Sequence, residues 1–171
     1  MINPTVTTHI SLRPWSLTDA PRVAELMNSP VVLRYLTCRL PNPYTLADAE
    51  AFLTKVVEQV QPQRAILFDC KVVGCVGVRP DFETQDCMLG YWPGASWHGR
   101  GIATQAVEQF LELLPELVPG TKTVTAYVYE PNIASIRVLQ KCGFSHQGTQ
   151  PAPPQAGDGN NYPGLCFRTA L

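Results

Sequence analysis

The chain has 171 residues, a formal net charge of -1 at pH 7, and 45% hydrophobic against 16% charged residues, the balance of a globular protein with a core of its own. It lacks the basic excess of a nucleic-acid binder and any apolar run near the roughly 20 residues of a membrane helix. The start "MINPTVTTHISLRP" has neither the charged opening nor the apolar stretch of a signal peptide, so a single cytoplasmic domain over 1–171 is expected, without nucleic-acid or membrane partners.

"THISLRP" alternates and ends at Pro14, predicting a first strand. "SLTDAPRVAELMNSP" predicts a helix capped by Thr18 or Asp19, with Val23, Leu26 and Met27 on one face. "RYLTCRLPNPY" reads as a helical turn and a proline-rich loop. "TLADAEAFLTKVVEQV" is a stronger helix, capped by Thr45, with a stripe of Ala49, Phe52, Val56 and Val60. After Pro62 the pattern turns to strands: "RAILFD" and "KVVGCVGVR" form a hairpin around Cys70, and "DCMLGYW" follows until "PG" stops it. A helix through Leu114 comes next, with Ala103, Val107, Phe110, Leu111 and Leu114 inward and Glu108, Gln109 and Glu112 outward. "KTVTAYVY" is a strand, and "NIASIRVLQKCG" a helix with Asn132 as N-cap and Gly143 as its stop. "FSHQGT" and "LCFRTAL" are closing strands separated by the loop "QPAPPQAGDGNNYPG". The order is mixed α and β, hairpins first and a strand–helix–strand–helix–strand unit last.

Cys38, Cys70, Cys75, Cys87, Cys142 and Cys166 show no CxxC pair and no histidine at ligand spacing. Without an export signal they read as thiols in a reducing compartment, and no metal site is expected. The chemistry concentrates in "WHGRGIATQAV", where two glycines bracket Arg100 at a helix start. A helix start offers unpaired N–H groups and the positive end of the helix dipole. Glycine lets backbone wrap a ligand, and arginine forks onto phosphate. The stretch reads either as a diphosphate cradle or as a turn that packs strand to helix. A P-loop is excluded because GxxxxGK[ST] is missing. A dinucleotide fingerprint fits poorly, with Thr104 in the third glycine position and no acid in "PGTKTVTAY".

Taken with "ISLRPWSLTDAPRVAELMNSP", "LPNPYTLADAEAFL", "LGYWPGASWHGRGIATQAVEQFL" and "VYEPNIASIRVLQKCGF", the chain resembles the GNAT superfamily of acyl-CoA N-acyltransferases. Within it, the likeness is to the branch that acetylates the N-terminal alanine of ribosomal proteins. The resemblance implies an α+β fold with a mixed, mostly antiparallel central sheet of about seven strands flanked by helices. It also implies a splay between the fourth and fifth strands that holds acetyl-CoA as cosubstrate. Cofactor contacts are implied at Leu89, Tyr91, His98, Gly99, Arg100, Gly101, Ile102, Ala103, Thr104, Asn132 and Ser135, with diphosphate on the backbone of residues 99–103. His98 stands where relatives often carry Gln or Arg, and Met88 where they often carry Glu. Leu139 replaces a tyrosine that protonates the departing thiolate in many relatives, and Ser135 matches the serine of the alanine-acetyltransferase branch.

Acetyl transfer needs a neutral amine, a polarised carbonyl and a stabilised thiolate. A strand distorted at Leu89–Gly90 would aim a backbone N–H at the carbonyl, although Gly90 could equally admit a neighbouring helix. Ser135 is the leaving-group candidate, or else a first-turn serine bonding its own backbone. No general base stands out: Asp86 reads as a solvated strand-end acid and Glu130 as a turn residue. Cys87 is expected beside the cleft, and Trp15, Tyr35, Tyr44 and Trp92 are either acceptor-pocket residues or ordinary packing. The expected acceptor is a primary amine, on a protein N-terminus or a small molecule, used by a monomer or homodimer. A catalytically silent acyl-CoA-binding module and a different nucleotide-binding α/β protein are the competing readings.

Overall fold

The structure is a computed structural model and describes residues 10–36, 40–59, 61–150 and 153–171. Its strands are β1 (Ile10–Arg13), β2 (Gln63–Phe68), β3 (Lys71–Asp81), β4 (Asp86–Pro93), β5 (Thr123–Tyr129), β6 (Ser145–Gln150) and β7 (Gly164–Ala170). They form one seven-stranded sheet in the order β1-β2-β3-β4-β5-β7-β6. Every neighbouring pair is antiparallel except β4 and β5. The helices are α1 (Ala20–Met27), α2 (Pro30–Leu33), α3 (Leu46–Glu58), α4 (Ile102–Leu117) and α5 (Ile133–Lys141). The α+β class, the mostly antiparallel sheet and the splay between fourth and fifth strands are all found.

The sheet is covered on both faces. Ile102, Ala106, Val107, Phe110 and Leu114 of α4 and Leu139 of α5 pack with Val73, Val76 and Val78 of β3. On the other face Val23, Leu26, Ala49, Leu53 and Val56 meet Val72 and Cys75. That double cover explains why "KVVGCVGVR" runs apolar without strict alternation. The β2–β3 hairpin turns through Asp69 and Cys70, both at positive φ, the geometry of a tight hairpin turn.

Five sequence expectations about the helices need correction. Ser16, not Thr18 or Asp19, supplies the capping side chain, and it does so for a 3₁₀ turn, Leu17–Asp19, that leads into α1. The Asp19 carboxylate instead accepts from both Arg13 guanidinium nitrogens at 2.8 Å and from the Ser16 N–H at 2.9 Å. In α3, Leu53 is the buried position and Phe52 packs edge-on against Trp15; Val60 lies outside the described residues. In α4, Ala106 takes the fully buried place expected of Ala103, and Gln109 turns back to bond the Ile10 carbonyl at 3.1 Å. The same helix runs past Pro115 to Leu117. So close to its C-terminus, the missing proline N–H forfeits only the bond to Leu111.

The feature that positions the site is a short parallel ladder. β4 and β5 pair only from Asp86↔Thr123 to Leu89↔Ala126. β4 then continues beside β3 as far as Gly74↔Pro93, and β5 beside β7 as far as Tyr129↔Gly164. Each half-sheet stays intact while the two part company. Asp86 fastens the closed end: its Oδ1 accepts from Thr123 Oγ1 at 2.5 Å and Thr125 Oγ1 at 3.1 Å, and Thr125 Oγ1 accepts from Arg168 Nε at 2.9 Å. Asp86 is a cross-strand tie, not the solvated acid expected.

The Arg13 guanidinium holds the Asp19 carboxyl below its ordinary value of 3.8. A depressed carboxyl stabilises the fold above that value, and the contribution is lost as pH falls below it. Asp19→Asn should therefore cost about 1–2 kcal/mol at neutral pH. Urea titrations across pH should show the gap from the parent closing only below the ordinary aspartate range.

Candidate active site

The split opens onto the start of α4. A 3₁₀ turn, Ala95–Trp97, brings the chain out of β4, and Gly99 and Gly101 then take φ of +72° and +74°. A left-handed turn of this kind costs an L side chain roughly 1–2 kcal/mol, which is why glycine stands at both places. The first intrahelical bond is Gln105 N–H to the Gly101 carbonyl at 3.1 Å. The N–H groups of Ile102, Ala103 and Thr104 therefore precede the helical ladder. They sit at the positive end of a 16-residue dipole.

This turn forms one end of a cavity of about 610 Å³, with His98, Gly99, Gly101, Ile102, Ala103 and Thr104 in its wall. His98 Nε2 lies 2.9 Å from the Pro93 carbonyl. Arg100 is not in the wall; its guanidinium stacks over Trp97, 5.2 Å from the ring centroid. Besides Arg34, the cations in the wall are Arg137 and Lys141 of α5. Sequence reading missed them, though a basic pair at i,i+4 on the next helix was a legible signal for one shared face.

The cavity continues between the diverging strands, walled by Leu89, Gly90 and Tyr91 from β4, Ala126 and Val128 from β5, and Leu139 from α5. The register between β3 and β4 is unbroken through Val78↔Leu89 and Gly77↔Gly90. The expected distortion at Leu89–Gly90 is therefore not a register shift. A Cβ built on Gly90 would meet nothing within 4 Å, so no helix crowds it either. Asn132 caps α5 by accepting from the Ser135 N–H at 3.3 Å. Ser135 stands in the first turn of that helix, where its Oγ lies 2.6 Å from the Tyr91 hydroxyl, and Tyr91 also reaches the Ser135 carbonyl at 3.2 Å. Burial pushes the Tyr91 phenol up from its ordinary value, partly opposed by the bond to Ser135.

At the opposite mouth, Val31, Val32, Arg34, Tyr35 and Leu36 face Trp92, Tyr127 and Tyr129. The loop before β7 docks on this segment. Gly157 N–H donates to the Leu36 carbonyl at 2.7 Å and Arg34 Nε lies 3.3 Å from Asp158 Oδ2. Tyr162 bonds Asp158 at 2.9 Å and sets its ring edge-on to Tyr35. A Cβ on Gly157 would collide with the Leu33 carbonyl oxygen, so this docking requires glycine. Tyr35 and Trp92 reach the cavity as the sequence allowed. Trp15 and Tyr44 do not: both are buried between sheet and helices, and burial pushes the Tyr44 phenol to about 12.

Cys87 is buried away from the cavity, against Thr121 at 3.4 Å. The Cys142 thiol faces the Thr104 carbonyl at 3.6 Å, and burial pushes it to about 11. Cys70, Cys75, Cys87, Cys142 and Cys166 are free thiols, whereas Cys38 and His9 lie outside the described residues. Among the described residues no three His, Cys, Asp or Glu side chains are grouped to hold a metal ion, and no helix is long and apolar enough to cross a membrane. The described lining residues include no carboxylate. The site thus joins a glycine-bracketed helix start, an apolar slot and an aromatic mouth that carries Arg34.

A family model described as an acetyltransferase (GNAT) domain matches residues 9–145. No curated protein matches the chain significantly. Among solved structures, the chain is similar to the α-N-acetyltransferase of ribosomal protein L7/L12, RimL, in complex with coenzyme A. The TM-score there is 0.83 at 16% identity, covering 98% of this chain and 97% of that one. It is also similar to a ribosomal-protein-S5-alanine acetyltransferase from Vibrio fischeri, with TM-score 0.82, 18% identity and coverage of 95% and 93%. A third similar structure is the microcin C7 self-immunity acetyltransferase MccE in complex with acetyl-CoA and AMP, with TM-score 0.80, 19% identity and coverage of 95% and 92%.

The positive φ at Gly101 makes a structural prediction independent of any ligand. A Cβ there would meet only the Gln105 side chain, at 3.8 Å, so Gly101→Ala should cost roughly 1–2 kcal/mol through backbone strain alone. Thermal unfolding of the variant should show a lower Tm. An unchanged Tm would mean that the turn does not need its left-handed backbone.

Proposed function

Because the chain belongs to the GNAT acetyltransferases, we propose that it moves acetyl from acetyl-CoA to a primary amine by direct attack in a ternary complex. The observation that carries this reading is the split between β4 and β5 opening onto the glycine-bracketed start of α4. An acyl-CoA fits what lies there. Its diphosphate would meet the backbone of Gly99, Gly101, Ile102 and Ala103, with Arg137 and Lys141 adding charge. Thr104 and His98 would flank it, and Arg100, held on Trp97, would contribute from outside the cavity. Its pantetheine arm would run along the edge of β4 that β5 leaves unpaired, past Leu89 and Tyr91 towards Asn132 and Ser135.

In the proposed reaction a neutral amine attacks the thioester carbon. The C–N bond forms, the C–S bond breaks, and sulfur leaves with the electron pair. A backbone N–H of the Leu89–Gly90 segment, on that unpaired edge, would polarise the carbonyl as charge develops on its oxygen. Ser135, in the first turn of α5, would donate to the departing sulfur, where the helix dipole also favours negative charge. With no carboxylate in the described wall, the amine proton passes to water.

The proposed acceptor is a protein N-terminus or another amine with neutral or acidic surroundings. Arg34 and the aromatic mouth favour such a group and disfavour a polycation. The reading takes the chain as one catalytic domain working in the cytoplasm, where its cysteines remain thiols. A silent acyl-CoA-binding module is the second reading, favoured by Met88 and Leu139 and by the missing carboxylate. Amine-dependent turnover of acetyl-CoA separates the two.

Calorimetric titration should show acetyl-CoA binding with a Kd on the order of micromolar. Gly101→Glu puts an anion in the cradle and should weaken binding at least ~100-fold. Gly101→Ala carries the same strain without the charge and should bind far better than Gly101→Glu. Absence of binding by the parent would remove the cofactor reading.

A further inference from the structure

We propose that Tyr91 is a positioning residue for acyl transfer: its phenol turns the Ser135 hydroxyl so that the Ser135 proton points at the sulfur leaving the thioester. The inference rests on the acetyl-CoA reading and adds a residue to it. Leu139, buried and apolar, offers no proton on α5, so hydrogen-bonding capacity at this point of the split must come from elsewhere. Tyr91 brings it from β4 across to α5.

The pair can reverse its hydrogen bonds without moving a heavy atom. Tyr91 Oη has two acceptors within reach, Ser135 Oγ at 2.6 Å and the Ser135 carbonyl at 3.2 Å, but only one proton to give. While its proton goes to the carbonyl, Ser135 donates to Tyr91 and is spent. When it goes to Oγ, the Ser135 proton is released towards the cavity. A sulfur gaining negative charge selects the second arrangement, because a chain of donors ending on an anion is mutually polarising. Backbone fixes both ends: Tyr91 sits in a strand registered against Val76, and Asn132 holds the Ser135 N–H. Burial keeps the phenol protonated, hence a donor, and among the described residues the titratable neighbour bearing on it is the Cys142 thiol. No net proton transfer from tyrosine is required; the thiolate forms hydrogen-bonded.

The test uses the full chain with Tyr91→Phe, Ser135→Ala, Ser135→Thr and the double variant Tyr91→Phe/Ser135→Ala. Acetyl transfer to an amine is assayed, and the thiol of bound free CoA is titrated by the ultraviolet absorbance of its thiolate. Tyr91→Phe should lower kcat about tenfold, with KM for acetyl-CoA within about twofold. It should also raise the bound thiol pKa by about one unit. Ser135→Ala should do the same, the double variant should be no worse than Ser135→Ala, and Ser135→Thr should retain function. A Tyr91→Phe protein that folds, binds CoA and leaves both readouts unmoved while Ser135→Ala shifts them would reduce Tyr91 to packing and overturn the proposal. Multiplicative losses in the double variant would overturn it as well. Absence of CoA binding by the parent would overturn the acetyl-CoA reading, and this role of Tyr91 with it.

Discussion

Everything at the candidate site depends on two parallel strands ceasing to pair after four residues. β4 and β5 hold each other from Asp86↔Thr123 to Leu89↔Ala126 and no further. Unpaired strand edges are costly when buried, so a split of this kind persists only where both halves are secured independently. β3 holds one side, β7 the other, and the tie from Asp86 through Thr125 to Arg168 fastens the closed end. The backbone polar groups freed along β4 then become a resource: an extended ligand with amide groups can bond them as a substitute strand.

The charge arrangement follows the same division of labour. At the α4 end the attraction for anions comes from backbone, namely the first-turn N–H groups and the dipole, with Arg137 and Lys141 as support. At the other end a second helix start, that of α5, brings Asn132 and Ser135 into the cavity wall. Two helix N-termini bracket one cavity, and both favour negative charge. The absence of a carboxylate among the described lining residues keeps that bias uncompensated.

Much of this was legible in the sequence, and the reasons divide cleanly. Gly99 and Gly101 were readable because a left-handed turn before a helix has few other solutions. Asn132 and Thr45 were readable because capping is local. Asp19 misled because its strongest partner, Arg13, lies outside the local pattern, six residues back in a strand. Arg100 misled for a related reason: spacing put a cation beside the cradle, but the Trp97 ring captured it. Asp86 looked solvated because its partners, Thr123 and Thr125, come from a strand 37 and 39 residues away. The Tyr91–Ser135 contact spans 44 residues and no period or motif encodes it.

The two mouths of the cavity differ in the same way, and that difference bears on how such a protein can change. The mouth at the start of α4 is built from one continuous stretch, strand–turn–helix, whose geometry is fixed by glycine and backbone. The opposite mouth is assembled from α2 and the loop before β7, joined by Arg34 and Asp158 across 124 residues and by the contact that only Gly157 permits. Exposed side chains there, such as Val31 and Arg34, lie outside the sheet ladder, whereas Val32 and Leu33 of the same helix belong to the core. The local construction at one end ties its geometry to backbone, and the long-range construction at the other ties its geometry to exchangeable side-chain contacts. A shared fold at 16–19% identity therefore fixes the splayed scaffold and leaves the side chains of that mouth open.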